Sequence, residues 1–219
     1  MRNQLTTEEL EQLTADDLVR MKLTDEEKSR LCEINQARQK ERVDRSARLR
    51  EEEKPIVADL RQAGLDVESI WDLVNTSEQY SKVVPILLRH LSLPYSDRTR
   101  EGIARSLAVP EPEVCKAWPA LVSEYRHAPM GWGIVAPGDT KEFRLGAKDG
   151  LACALSVAVT DETLPELIAL AKDPAHGESR VLLLPALKKR RNKSAMAKQA
   201  IDELASDPEF AKEIASWGQ

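Results

Sequence analysis

The sequence contains few aromatic residues and few cysteines, and both shortages exclude classes of protein. Aromatic side chains make up only 4% of the 219 residues, whereas hydrophobic residues make up 42%. Leu, Ala, Val and Ile must therefore form the core, which favours packed helices over a β-sandwich built on aromatic and β-branched side chains. The three cysteines, Cys32, Cys115 and Cys153, are odd in number and far apart, so they indicate neither a disulfide framework nor a zinc site.

Long apolar runs and an excess of basic residues are also missing. No segment approaches the roughly 20 apolar residues that span a bilayer. The first residues, MRNQLTTEEL, lack the apolar centre of a signal peptide. We therefore expect a cytoplasmic protein that does not bind a membrane. The net charge is −5 at pH 7, so bulk electrostatics disfavour nucleic acid as a partner.

The motifs of common catalytic and cofactor sites do not occur. The three histidines, His90, His127 and His176, are isolated, and none lies at metal-ligand spacing from a cysteine or from another histidine. The sequence has no nucleophile elbow, no phosphate-binding loop and no dinucleotide-binding glycine pattern. We therefore predict a protein that is not an enzyme, with no catalytic residue, no metal site and no cofactor.

What the sequence does contain is a helical-pair motif that recurs with little change in spacing. The segment VPILLRHLSLPYSDRTREGIARSL (84–107) aligns without a gap with LPELIALAKDPAHGESRVLLLPAL (164–187). A third copy lies between them, because WPAL (118–121) matches VPIL and KDGLACAL (148–155) matches REGIARSL. Repetition of a helix–turn–helix unit predicts an all-α fold in which antiparallel helical pairs stack as an α-solenoid.

The repeated unit resembles the HEAT-repeat family, and most closely the small bacterial HEAT-like proteins. The resemblance covers about 77–217 and depends on antiparallel A and B helices, aliphatic rows on both, a proline in or near helix A, and a charged residue near the turn. The matching residues are Pro85 and Pro165, and Arg100 and Arg180. The resemblance implies a right-handed α-solenoid whose B helices line the concave face. It also implies a binding function without catalytic residues, and some members of this group are immunity or adaptor proteins.

Two domains are predicted, with the boundary at Pro55. Residues 1–54 form a charged helical extension, and residues 55–219 form the HEAT-like helical-repeat domain. Pro55 is expected to end the long polar helix and to open the next helix at its first turn. Three capping-box patterns open helices in the extension, namely Thr6 with Glu9, Thr14 with Asp17 and Thr24 with Glu27. Gly64 is a natural left-handed residue at which the helix after Pro55 ends.

The middle repeat carries an insertion between its two helices, at about 127–147. Pro119 and Lys148 are 29 positions apart (148 − 119), whereas the equivalent residues of the other copies are 15 apart (100 − 85 and 180 − 165). The segments GIVA and EFRL flank a Pro-Gly-Asp turn, which favours a small β-hairpin in the insertion. Pro119 itself lies deep enough in its helix that a kink is expected there.

Candidate partner-binding residues lie in this insertion and on the B helices. Met130, Trp132 and Phe143 are candidate anchors, because aromatic residues dominate interface hot spots. The alternative is that Trp132 folds back and covers the gap in a widened helix pair. The basic candidates are Arg100, Arg105, Lys148 and Arg180. Arg100, Lys148 and Arg180 are equivalent in the three copies, so a stacked array would align them for an acidic partner; the alternative is salt bridging with nearby acids.

Two functions from different classes follow from these features. The first is a non-catalytic protein-binding scaffold or adaptor that uses the concave face and the insertion loop, of which an immunity or antitoxin-type protein is one version. The alternative is a HEAT-like nucleic-acid-binding enzyme such as a DNA glycosylase, with Trp132, Tyr95, Tyr125 and Asp149 in its groove. The negative net charge disfavours that alternative. We therefore expect another protein as the partner, and the sequence leaves its identity and the oligomeric state open.

Overall fold

The structure, a computed structural model, describes residues 4–76 and 78–217, apart from the side chain of Ala15. Within these residues the fold is all-α, as predicted, with one pair of two-residue strands. The chain forms two compact units, 1–47 and 48–219, and the boundary between them lies within a long helix.

The first unit contains α1 (Thr7–Gln12), α2 (Ala15–Arg20) and the first part of α3 (Asp25–Gln62). All three helices begin with the capping boxes that the sequence predicts. In each, the threonine hydroxyl accepts a hydrogen bond from the backbone N–H three residues later, and the acidic side chain there accepts one from the threonine N–H. Leu10 of α1 is buried, whereas most side chains of this part of α3 are exposed.

Helix α3 is continuous through Pro55, so the predicted helix break at this residue is wrong. Proline cannot donate to the carbonyl four residues earlier, and its ring crowds the preceding turn. Packing on both sides overrides this cost. Before the proline, Glu52 accepts hydrogen bonds from the backbone N–H and the hydroxyl of Ser96. After it, Ile56 and Leu60 are fully buried. The helix ends at Gln62, and Gly64 (φ 94°) follows it in the left-handed conformation that the sequence predicts.

The second unit continues with short helices. These are α4 (Trp71–Val74), α5 (Val84–Leu91), α6 (Asp97–Ser106), α7 (Pro112–Lys116), α8 (Trp118–His127), α9 (Ala147–Ala158), α10 (Leu164–Lys172), α11 (Leu184–Arg190), α12 (Ala195–Leu204) and α13 (Pro208–Ser216). Two 3₁₀ segments, Ser81–Val83 and Pro174–Leu183, lead directly into α5 and α11.

Prolines mark the first turns of several of these helices. Pro85 and Pro165 lie in the first turns of α5 and α10, where a backbone N–H would lack a helical partner in any case. The kink predicted at Pro119 is instead a break, because α7 ends at Lys116 and Pro119 lies in the first turn of α8. Restarting the helix places the proline where its missing N–H costs no hydrogen bond.

The elements of the second unit pack against one another in chain order. Helix α6 packs on α9, α9 packs on the 3₁₀ segment Pro174–Leu183, and that segment contacts α13. Likewise α5 contacts α7, α8 contacts α9, and α10 contacts α12. The three leucines that are equivalent in the sequence copies, Leu107, Leu155 and Leu187, are each fully buried in one core.

The insertion occupies 128–146, between α8 and α9. It contains β1 (Trp132–Gly133) and β2 (Phe143–Arg144), which pair antiparallel with Trp132 opposite Arg144. The pairing includes only the first residue of the predicted GIVA strand. The next part of that segment turns inward: Val135 and Ala136 are buried, and the Val135 carbonyl accepts a hydrogen bond from Arg98 of α6 instead of from β2.

Candidate functional site

The loop between β1 and β2 is attached to α3 through Arg48. Its guanidinium donates to the carbonyl of Pro137 at 2.5 Å and pairs with Asp139 at 3.0 Å. The Arg48 side chain lies so close to Gly138 (φ 70°) that a Cβ there would come within 3.3 Å of it. Asp139 in turn accepts a hydrogen bond from the Ala136 N–H at 3.2 Å. These contacts fix the loop to α3, although Arg48 and Pro137 are 89 residues apart in the sequence.

Helix α6 holds the insertion at its middle and at its C-terminal end. The Arg98 N–H donates to the Val135 carbonyl at 2.9 Å. Asp97 accepts hydrogen bonds from the N–H groups of Gly146 and Ala147, at 2.6 and 3.2 Å, where the insertion joins α9. Charge-assisted hydrogen bonds to backbone N–H groups are among the stronger ones in proteins. The insertion is therefore an ordered element whose backbone is hydrogen-bonded to two different helices.

Three large apolar side chains of this ordered insertion are exposed, and we call them the insertion patch. Met130 is 49% exposed, Trp132 71% and Ile134 51%. Trp132 lies in β1 and Ile134 follows that strand directly, so alternation along an extended chain places both side chains on the same face. Because most of its side chain faces solvent, Trp132 does not cover a gap between helices, which was the alternative prediction. Phe143, across from Gly133, is half-buried.

A cleft of about 490 Å³ opens between the insertion, the start of α9 and the 3₁₀ segment Pro174–Leu183. Its lining includes Met130, Trp132, Arg144, Lys148, Asp149 and His176. The cleft thus joins an exposed apolar edge to a set of ionisable side chains contributed by three different elements.

Lys148 is the most unusual residue of this cleft. It is only 3% exposed, and its ammonium donates one hydrogen bond, to the carbonyl of Ala128 at 3.2 Å. The ammonium also lies 4.9 Å from the centre of the Tyr125 ring. Among the described residues, no carboxylate forms an ion pair with it. Burial lowers the pKa of Lys148, since water no longer stabilises the charged form.

His176 lies against the same tyrosine. The residue is 6% exposed, and its ring stands 4.7 Å from the Tyr125 ring, centre to centre. Its Nδ1 atom is buried and has no hydrogen-bond partner among the residues that the structure describes, while Nε2 lies 3.7 Å from a carboxylate oxygen of Asp173. Burial and, after it, the nearby Lys148 charge lower the pKa of His176. Buried polar atoms without a partner are rare in native proteins, so this nitrogen needs an explanation.

Acidic and basic side chains are paired at the mouth of the cleft. Arg144 of β2 contacts Glu178 at 2.9 Å and Asp149 of α9 at 3.5 Å. Burial raises the pKa of Asp149, and the Arg144 charge opposes that rise. These three residues carry one positive and two negative charges, so the mouth of the cleft keeps a net negative charge. Deeper in the cleft, His176 faces the Asp173 carboxylate, and among the described residues Lys148 forms no ion pair.

The other predicted basic residues are engaged elsewhere in the second unit. Arg100 pairs with Glu124 at 2.5 Å, and Arg105 pairs with Glu101 at 2.8 Å. Arg180 is 3% exposed, pairs with Asp207 at 3.0 Å and also pairs with Glu209. The three equivalent positions thus have different environments, and Lys148 alone of the three lines the cleft.

The residues considered for a glycosylase are only partly brought together. Trp132 and Asp149 line the cleft, and Tyr125 is fully buried beneath its lysine and histidine, with its hydroxyl bonded to Ser179. Tyr95 instead bonds to His90, which also contacts Asp59 in a separate, partly buried network. The Ser179 hydroxyl donates to the backbone carbonyl of His176, so the imidazole does not activate it.

Sequence reasoning identified Met130, Trp132 and Lys148 but missed Ile134, Arg144 and His176. The two-residue spacing of Ile134 from Trp132 is visible in the sequence and could have identified it. His176 is isolated in the sequence, and its approach to Lys148 could not be predicted because it depends on how α9 packs on the 3₁₀ segment. Among the described residues, no group of three His, Cys, Asp or Glu side chains is arranged to hold a metal.

No protein-family model matches the chain, and no curated protein or solved structure shows significant similarity to it. Across the described residues, no helix has both the length and the apolar character that crossing a membrane requires. A proposal of function therefore depends on the geometry of the insertion and its cleft.

Proposed function

We propose that this chain is a non-catalytic protein-binding scaffold or adaptor, and that the insertion patch is its recognition surface. The observation that carries the proposal is the 71% exposure of Trp132 on a backbone that is hydrogen-bonded to α3 and α6. Tryptophan is among the residues most enriched at binding hot spots, and exposed apolar patches on ordered segments are typical of interaction sites.

The order of the insertion supports this proposal on energetic grounds. Association is opposed by the entropy lost when loops and side chains become fixed, so a surface that is already fixed binds more tightly. The contacts of Arg48 with Pro137 and Asp139, and of Asp97 with the start of α9, already fix the insertion without a partner. Trp132 and Ile134 are thus presented in one arrangement.

We further propose that the second unit is a HEAT-like solenoid that supports this surface. The packing of α6 on α9, and of α9 on the 3₁₀ segment that precedes α11, supports a stack of B helices. The complete burial of the equivalent leucines Leu107, Leu155 and Leu187 supports the repeat register. A stacked scaffold of this kind holds an inserted loop rigidly and leaves its tip free for a partner.

The test is native affinity purification of the tagged full-length protein from its source cell, with Trp132→Ala beside the wild type. Met196→Ala is the matched control, because Met196 is also a large apolar side chain in the second unit and is 49% exposed. We expect one protein to co-purify in stoichiometric amount with the wild type and the control and to be lost from Trp132→Ala. The thermal stability of Trp132→Ala should stay within about 0.5 kcal/mol of the wild type, as for other surface substitutions.

Retention of the same partner by Trp132→Ala would contradict the proposal, as would nucleic acid without a protein in the eluate. A large loss of thermal stability in Trp132→Ala would instead assign this residue to the core.

A further inference from the structure

We propose that the cleft beside the insertion binds a carboxylate attached to an apolar group, with the Lys148 ammonium and the His176 Nδ1–H group as its hydrogen-bond donors. This inference goes beyond protein binding by the insertion patch, because its polar contacts come from residues outside that patch.

The first argument is the unused capacity of Lys148. An ammonium group has three N–H donors, and the described structure assigns one of them, to the Ala128 carbonyl. Burying a charge is costly unless the charge is paired. The face of the Tyr125 ring, 4.9 Å away, offers weak compensation and no hydrogen-bond acceptor of ordinary strength. A ligand carboxylate in the cleft would supply both the missing negative charge and the missing acceptor.

The second argument is the unpaired nitrogen of His176. His176 is only 6% exposed, and across the described part of the chain its Nδ1 atom has no hydrogen-bond partner, although the residue lines the cleft. His176 and Lys148 both lie against the Tyr125 ring, so they approach the cleft from neighbouring positions. Nε2 of His176 faces the Asp173 carboxylate, so Nδ1 can donate only when the imidazole carries both protons, a form that a bound carboxylate would stabilise. A carboxylate has two oxygens, so one can accept from the Lys148 ammonium and the other from this Nδ1–H group. One ligand group would therefore satisfy both unexplained side chains.

The surroundings favour a singly charged acid with an apolar body. Asp149 and Glu178 at the mouth are paired with Arg144, so a dianionic phosphate would meet two carboxylates and few free cations. Met130 and Trp132 line the same cleft and are largely exposed, which suits an aliphatic or aromatic group next to the carboxylate. The volume of about 490 Å³ is within the range of small-ligand sites.

The carboxylate could belong to a small free acid or to the end of a peptide, and the test separates these sources. The purified full-length protein is titrated calorimetrically with 4-methylpentanoate and with its neutral amide. In a parallel arm it is titrated with N-acetyl-Ala-Leu carrying a free carboxylate, and with the same peptide as its amide. The titrations are repeated with Lys148→Met, and with Met196→Ala as the matched control. Circular dichroism checks that each variant is folded.

We expect at least one acid to bind at least about tenfold more tightly than its amide, because hydrogen bonds between charged groups are stronger than those between neutral groups. Lys148→Met should remove this preference and Met196→Ala should keep it. Binding of the free acid alone would identify a small metabolite as the source, and binding of the peptide alone would identify a protein terminus.

Equal affinity for acid and amide would overturn the proposal, and so would the absence of binding by both acids at millimolar concentration. If the folded Lys148→Met variant still preferred the acid over its amide as strongly as the wild type does, that result would also overturn the proposal. These titrations use no protein partner, so their failure leaves the Trp132 test standing. Conversely, retention of the protein partner by Trp132→Ala would contradict the insertion patch as a recognition surface but not the carboxylate site.

Discussion

Lys148 and Arg180 occupy equivalent positions in the sequence repeats and are equally buried, yet their side chains are in opposite electrostatic situations. Each is 3% exposed. Arg180 pairs with Asp207 and Glu209 and donates further hydrogen bonds to the carbonyls of Gly177 and Ala171. Lys148 has one backbone acceptor and, among the described residues, no ion pair. Removing a buried cation that has acidic partners leaves those acids unpaired and lowers stability, whereas a buried cation without such partners itself costs stability.

This contrast predicts opposite effects of one substitution. Lys148→Met removes a buried charge that has no ion pair and keeps a side chain of similar length. The lost hydrogen bond to the Ala128 carbonyl offsets about 1 kcal/mol of the stability gained in this way. We therefore expect an equal or higher melting temperature. Arg180→Met removes two ion pairs and should lower the free energy of unfolding by about 2–4 kcal/mol, since Asp207 and Glu209 keep partial access to water. Denaturant unfolding of both variants at pH 7 measures the difference.

If Lys148→Met proved as destabilising as Arg180→Met, Lys148 would be an ordinary structural residue. A stabilised Lys148→Met variant would instead show that the wild-type lysine lowers stability. Residues that cost stability are typical of binding sites, so this outcome would strengthen the case for a ligand in the cleft.

At the scale of the element, helix α3 shows how packing overrides a local signal. Pro55 removes one hydrogen bond from the interior of the helix, yet the helix continues to Gln62. The residues that fix it lie on both sides of the proline: Glu52 receives the Ser96 donors, and Ile56 is fully buried. Pro165 is different, because it lies in the first turn of α10, where no hydrogen bond is lost.

We therefore expect Pro55→Ala to stabilise the protein by about 1–3 kcal/mol, since alanine restores the hydrogen bond to the Glu51 carbonyl and relieves crowding by the ring. Pro165→Ala is the matched control: both prolines are exposed, so neither substitution removes much packing. Its effect should be small or slightly destabilising, because proline there only restricts the unfolded chain. Thermal unfolding followed by circular dichroism gives the melting temperatures of both variants and the wild type. A lower melting temperature for Pro55→Ala would contradict the continuous helix.

At the scale of the whole molecule, the features predicted from sequence are those that depend on near neighbours or on repetition. The capping box of Thr6 and Glu9 forms within three residues, and the register of the repeats correctly places Leu107 and its equivalents in the core. The cleft could not be predicted in this way. The ordering of the insertion around Trp132 depends on Arg48, which bonds to Pro137 across 89 residues, and the isolation of Lys148 depends on which acids the packing leaves out of reach.

The repeat register makes a final prediction about the second unit. Leu107, Leu155 and Leu187 are 0% exposed, so replacing any of them by alanine leaves a cavity in the shared core. We expect each substitution to lower the free energy of unfolding by about 2–5 kcal/mol, as for other buried leucines. Leu93→Ala is the control, because that leucine is 41% exposed and should lose less than about 1 kcal/mol. Urea unfolding followed by circular dichroism measures all four variants.

The three core variants also test whether the repeats act as one unit. In the stacked array that we propose, each repeat is stabilised by its neighbours, so a cavity at any of the three leucines should shift the unfolding of the whole second unit in a single transition. A near-zero effect at one leucine would show that the sequence copies are not structurally equivalent. A second transition in the Leu155→Ala variant alone would mean that the repeats on either side of the insertion are only weakly coupled. The insertion would then join two sub-structures, and the rigidity of its surface would depend on Arg48 and Asp97 alone.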